Sequence, residues 1–136
     1  MTILTKEQSD FLSRRFVASI ATADEQGLPH VVPICFAMGD NSSYIVTGES
    51  DKRARNVHGN PQAALVADYY EDDWNRIGYV LLKGTAEILR IGEEYEEAIR
   101  LLRERYPQFQ ERQIFRPKSV LVLRIKVVIG WGDLTR

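Results

Sequence analysis

Lys52, Arg53 and Arg55 place three cations within four positions, directly after the apolar run Tyr44-Ile45-Val46-Thr47. Gly48 and Ser50, in the connection between them, offer backbone N–H groups and a hydroxyl. A helical turn beginning near Ser50 would add the positive end of its dipole to that charge. Lys and Arg contribute charge-assisted donors, so the cluster can cradle a phosphate. The same residues would equally make a solvated basic helix face, and composition alone does not separate the two.

The other reactive groups form no constellation that would do chemistry unaided. Glu71, Asp72 and Asp73 run consecutively through a loop with no histidine near them, which reads as solvated charge rather than a metal site. His30 and His58 are isolated, without ligand-like spacing. Cys35 lies among Pro33, Ile34, Phe36 and Ala37 and reads as a small hydrophobe buried in mid-strand. There is no Gly-x-Gly-x-x-Gly, Walker loop or Gly-x-Ser-x-Gly. Any catalysis is therefore expected to draw its reactive atoms from a cofactor. Trp74, in the acidic aromatic loop after Tyr69 and Tyr70, and Trp131, after Gly130, could stack on a flat ligand or cap the ends of a sheet.

Composition narrows the class. At 136 residues the chain fits one domain, here taken as 1–136. Hydrophobic residues at 44% and charged residues at 27% are ordinary globular values. A net charge of −1 argues against a nucleic-acid partner, which calls for a basic surplus. One cysteine excludes an intrachain disulfide, and no apolar run approaches the roughly 18 residues of a membrane span. The opening residues lack a signal-peptide pattern, so a soluble cytoplasmic protein is expected, with no membrane partner.

The elements that must position these residues follow from local signals. Thr5 and Gln8 form a capping box that opens a short helix. Strand composition predicts strands over 16–22 and 29–38, turned by Gly27 at positive φ, and a third over 43–47. Residues 50–58 read as one or two helical turns stopped by Gly59-Asn60-Pro61. Strands are predicted over 62–69, 77–90 and 119–131, and the clearest helix over 93–106, acidic at its start and basic at its end. A polar, proline-punctuated stretch covers 107–117. Six strands with three interposed helices and no β-α-β alternation predict an α+β fold, a six-stranded antiparallel barrel with peripheral helices. Such a barrel fills its own interior, so a ligand must sit on its wall or between subunits.

The order of these segments resembles the pyridoxamine-phosphate-oxidase-like, FMN-binding split barrels, in particular their short deazaflavin-dependent branch. The resemblance rests on residues 16–22 (FVASIAT), 27–34 (GLPHVVPI), 50–57 (SDKRARNV), Asn60-Pro61, the 69–74 loop and the closing Gly130-Trp131. It implies a homodimer with two equivalent sites for FMN or the deazaflavin coenzyme F-420 at the subunit interface. Lys52 and Arg53 would then bind phosphate with Ser50 and Asn56 nearby, and Val31, Val32 and Pro33 would set backbone groups against the ring's polar edge. Val46 and Thr47 would line the same groove, with Trp74 arriving from its loop and Trp131 from the partner subunit. The implied activity is hydride transfer to a small conjugated redox substrate. Without the C-terminal substrate-binding extension of true pyridoxamine phosphate oxidases, that particular oxidation is not expected. The alternative is a protein that sequesters flavin, haem or bilin without turnover.

Overall fold

A computed structural model describes residues 3–111 and 119–136. The chain runs α1 (Lys6–Ser13), β1 (Ala18–Ala23), β2 (Pro29–Ile34), β3 (Ala37–Gly39), β4 (Ser42–Thr47), α2 (Lys52–Gly59) and β5 (Gln62–Tyr69). A 3-10 turn (Trp74–Arg76), β6 (Gly78–Leu89), α3 (Glu93–Arg105), α4 (Gln108–Glu111) and β7 (Ser119–Gly132) complete it. Residues 112–118, which include the end of the expected polar stretch over 107–117, lie outside the described residues.

The strands form one antiparallel sheet in the order β2-β1-β5-β6-β7-β4-β3, the α+β split barrel that was expected. It has seven strands rather than six. The predicted strand over 29–38 breaks at Cys35-Phe36 into β2 and β3, which go to opposite edges of the sheet. Tyr106 holds the break: its hydroxyl accepts the Phe36 N–H at 3.0 Å and lies 2.8 Å from the Phe16 carbonyl. Cys35 is consequently exposed, not a buried hydrophobe.

Local chemistry explains the rest. Thr5 and Gln8 exchange both capping-box bonds at the start of α1. Asp24 accepts the N–H groups of Gln26 and Leu28, each at 2.9 Å, and Gly27 takes φ 84° to turn β1 into β2. β6 and β7 pair along their length around a bulge at Lys83/Gly84. A Cβ on Gly84 would stand 1.8 Å from the Arg124 carbonyl oxygen, so only glycine admits that approach.

Phe11, Leu12, Ile20, Phe36, Leu65, Leu82 and Leu123, all fully buried, fill the interior. α3 docks outside, setting Tyr95, Ala98, Ile99 and Leu102 against Ala37, Tyr44, Val120 and Val122. An ionic clasp secures it: Arg124 donates to Glu94 at 2.5 and 2.7 Å and to Glu87 at 2.7 Å, while Tyr44 donates to Glu94 at 2.8 Å. The Arg124 hydrogen bonds hold the Glu94 carboxyl below its ordinary value. Burial, then the bond to Glu94, pushes the Tyr44 hydroxyl up to about 12. Among the described residues no helix is long and apolar enough to cross a membrane.

Candidate functional site

The sheet leaves a seam. β2 pairs on one side only, with β1, and β3 is too short to cover all of β4: it reaches Ser42 to Tyr44 and leaves Ile45 to Thr47 open on that side. Along this seam runs a groove of about 460 Å³ lined by Val17, Val32, Pro33, Ile34, Cys35, Val46 and Arg53. That is a ligand-sized space, apolar apart from one thiol and one guanidinium.

Arg53 is placed by α2. Its Nη2 donates to the Val46 carbonyl at 3.0 Å and lies 3.3 Å from the Asp51 carboxylate. Asp51 caps α2, yet its side chain turns back to accept the Gly48 N–H at 2.8 Å and makes no bond to the helix amides. The N-terminal amides of α2 are thus left without a side-chain cap, at Asp51, close to Ser50 as the sequence suggested. Arg53 Nε is buried and has no hydrogen-bond partner among the described residues. A buried unpaired donor is costly.

Of the residues singled out from sequence, Val32, Pro33, Val46 and Arg53 meet in this groove. Val31 is exposed on β2 and is not among the residues that line the groove. Thr47 is buried, its hydroxyl 3.4 Å from Asp51, and Ser50 is exposed in the connection. Asn56 is buried and donates to the Thr22 hydroxyl at 3.0 Å, tying α2 to β1. Lys52 does not share the groove. With Arg55 and Asn56 it lines a smaller cleft of about 280 Å³ facing Asp24, Glu25 and Gln26. Trp74 is exposed, donating to the Tyr70 hydroxyl at 3.2 Å, and Trp131 stacks on Tyr79 at 5.6 Å between centroids. Neither tryptophan lines the groove of its own protomer.

Val17, Ile34 and Cys35 also line the groove and were not anticipated as site residues. Val17, 60% exposed just before β1, is a signal only once the seam is known. Partial desolvation raises the Cys35 thiol, with Arg105 opposing, so the sulfur stays protonated at neutral pH. A further cleft of about 500 Å³ between α1, α3 and β3 contains Arg105, but that guanidinium already donates to the carbonyls of Leu12, Ser13 and Arg15.

The groove has apolar walls, a free strand edge beside it and a guanidinium among its lining residues. A phosphate tail would find cations and uncapped amides at the adjoining start of α2.

The model of the pyridoxamine 5'-phosphate oxidase family matches residues 4–132. Among solved structures, a conserved hypothetical protein of Mycobacterium tuberculosis superposes with TM-score 0.81 at 19% identity, over 98% of this chain and 88% of that one. The haem storage protein HutZ of Vibrio cholerae gives 0.78 at 20% identity over all of both chains. An FAD-binding protein of Mesorhizobium loti gives 0.75 at 19% identity, over 96% and 95%. At these identities the structures share a fold. No curated protein matches in sequence.

Proposed function

The chain belongs to the pyridoxamine 5'-phosphate oxidase family, and from that premise we propose that it is a cytoplasmic oxidoreductase holding FMN or the deazaflavin coenzyme F-420 in the β2–β4 groove. The observation that carries this reading is the apolar groove along the open β2 and β4 edges, with the Arg53 guanidinium among its lining residues. The hydride-transfer chemistry belongs to the coenzyme, which would pass a hydride to or from a small conjugated substrate. The chain's own part is binding, orientation and water exclusion. Val32, Pro33, Ile34 and Val46 form an apolar wall, Lys52 supplies charge for the phosphate, and Ser50 offers a hydroxyl. A protonated Cys35 adds no competing nucleophile.

A homodimer is part of the proposal. On the outer face of the sheet Val127, Ile129 and Trp131 of β7 are 47%, 40% and 51% exposed. Leu81 and Tyr79 of β6 stand opposite Ile129 and Trp131 in register, so the row is continuous across the two strands. A contiguous apolar row on an uncovered sheet face suits a second copy of the chain, which would bring Trp131 to its neighbour's groove.

The test is equilibrium binding of FMN and of F-420, followed by fluorescence, to wild type and Lys52→Ala. Loss of one charge-assisted contact should weaken binding about 10- to 100-fold. Thermal unfolding of the free protein should stay within about 0.5 kcal/mol of wild type. Unchanged affinity refutes the role of Lys52, and binding of neither coenzyme refutes the reading.

One observation favours a second reading, storage of haem without turnover. His30 Nδ1 is buried without a partner among the described residues, and a haem storage protein shares the fold. A Soret band abolished by His30→Ala would support it, whereas rapid coenzyme reoxidation by an added acceptor would count against it.

A further inference from the structure

α2 carries its cations on two faces. Arg53 lines the β2–β4 groove, while Lys52 and Arg55 line the cleft facing the β1–β2 turn. Successive helical residues point about 100° apart, so turning the helix by one residue about its axis would move one cation into another's place. Whatever fixes that rotation decides which cation meets which cavity.

Apolar contact does not fix it. Of the buried residues of α2 only Ala54 and Val57 are apolar, and apolar burial has no direction. The third is polar. Asn56, 3% exposed, donates from Nδ2 to Thr22 Oγ1 at 3.0 Å, and Thr22, on β1, is 4% exposed. A hydrogen bond is directional, and losing its acceptor would strand a buried amide, so the pair holds α2 at one angle. Two further ties lie near the helix ends, from Arg53 to the Val46 carbonyl at 3.0 Å and from Asn60 to the Asp24 carbonyl at 3.1 Å.

Resting on the flavin reading above, we infer that Asn56 is a positioning residue: through Thr22 it sets the rotation of α2, and with it the preference for a phosphorylated ring over the bare one. The bond to Thr22 gives Asn56 a role that needs no contact with a ligand. Asn56 itself lines the cleft, so substituting it alone does not separate contact from positioning. Thr22 lines neither the groove nor the cleft, and substituting it does.

Phosphate preference is read as a ratio of dissociation constants, riboflavin over FMN and the bare deazaflavin ring over F-420, titrated by fluorescence. Wild type is compared with Asn56→Ala, Thr22→Val, the double variant and Thr22→Ser. Thr22→Val keeps the β-branched shape that suits a strand and removes the hydroxyl. The ratio should fall about tenfold in Asn56→Ala and in Thr22→Val, the worth of one charge-assisted hydrogen bond to the phosphate. It should fall no further in the double variant, because both substitutions break one bond. Thr22→Ser keeps the hydroxyl and should stay close to wild type.

A ratio that falls in Asn56→Ala and not in Thr22→Val would make Asn56 a direct ligand contact and overturn the inference. Losses that multiply in the double variant, or a Thr22→Ser ratio as low as that of Thr22→Val, would overturn it too. Unchanged ratios with lower melting temperatures would mark the bond as merely structural, and a wild type that prefers neither member would likewise overturn the assignment. Should Asn56→Ala fail to fold, the Thr22 variants decide; should Thr22→Val fail, Thr22→Ala is read in its place. Wild type that binds neither pair would instead remove the flavin reading, and this inference with it.

Discussion

Replacing Tyr106 with phenylalanine takes away one oxygen atom where three chain segments meet. The hydroxyl accepts the Phe36 N–H at 3.0 Å, and the carbonyls of Phe16 and Phe36, at 2.8 and 3.0 Å, compete for its proton. Phe36 is fully buried and Tyr106 is 6% exposed, so the orphaned N–H has no route to solvent. A buried donor left unpaired costs about 1–3 kcal/mol. The edge-to-face contact between the ring and Phe16, 5.9 Å between centroids, survives in the variant and holds the loss near about 2 kcal/mol. With a urea slope of about 1–3 kcal/mol per molar, the unfolding midpoint should fall by about 1 M at unchanged slope. Urea titration read by the fluorescence of the two tryptophans measures it. The same hydroxyl pins both flanks of the groove, because Val17 follows Phe16 and Cys35 precedes Phe36. Weaker flavin binding should therefore accompany the lower midpoint. An unchanged midpoint would refute the pinning role, and a changed slope would move the effect to the denatured state.

Gly84→Ala must force β6 from β7 at the bulge, since the new Cβ would meet the Arg124 carbonyl at 1.8 Å. A loss of about 1–3 kcal/mol is expected, read as a lower urea midpoint. The α3 clasp contributes to the pH dependence of stability at both ends. Glu94, held below its ordinary 4.5, contributes stability that is present above that pH and is lost as pH falls through the folded value. Tyr44, raised from 10.0 to about 12, contributes stability present below pH 10.0 and lost as pH rises through that window. Unfolding midpoints measured across pH should fall at both ends, and Glu94→Gln should flatten the acid limb. A dimer closed by the β6–β7 face should dissociate when Val127 and Ile129 are both changed to Asp. Sedimentation equilibrium would show a wild-type dimer and a variant monomer, and a monomeric wild type would dispose of the interface.

Where a signal was local, the sequence carried it. The Thr5–Gln8 capping box, the Gly27 turn, the charge-graded α3 and the stop at Asn60-Pro61 each depend on neighbours within a turn or two, and each stands in the structure near its expected place. The break at Cys35-Phe36 does not. Residues 29–38 have strand composition throughout, and what interrupts them is a hydroxyl 70 positions away. From that one missed contact come the strand count, the exposure of Cys35 and the seam itself.

The division of labour within α2 lies between these cases. Ala54 and Val57, three apart, are its apolar residues and must face the barrel; both are buried. At about 100° per residue, Arg53 falls inside the arc spanned by Asn56, Val57 and Ala54, while Lys52 and Arg55 fall outside it. A cation drawn into the buried arc of a helix needs partners there, and Val46 and Asp51 are those partners. The helical wheel alone thus assigns Arg53 inward and Lys52 outward. It could not show that inward means a groove, because the groove exists only where β3 stops short of covering β4, and that follows from the break Tyr106 holds. The helical period turns a half-buried arginine toward the barrel, and the topology of the sheet opens a groove beside it.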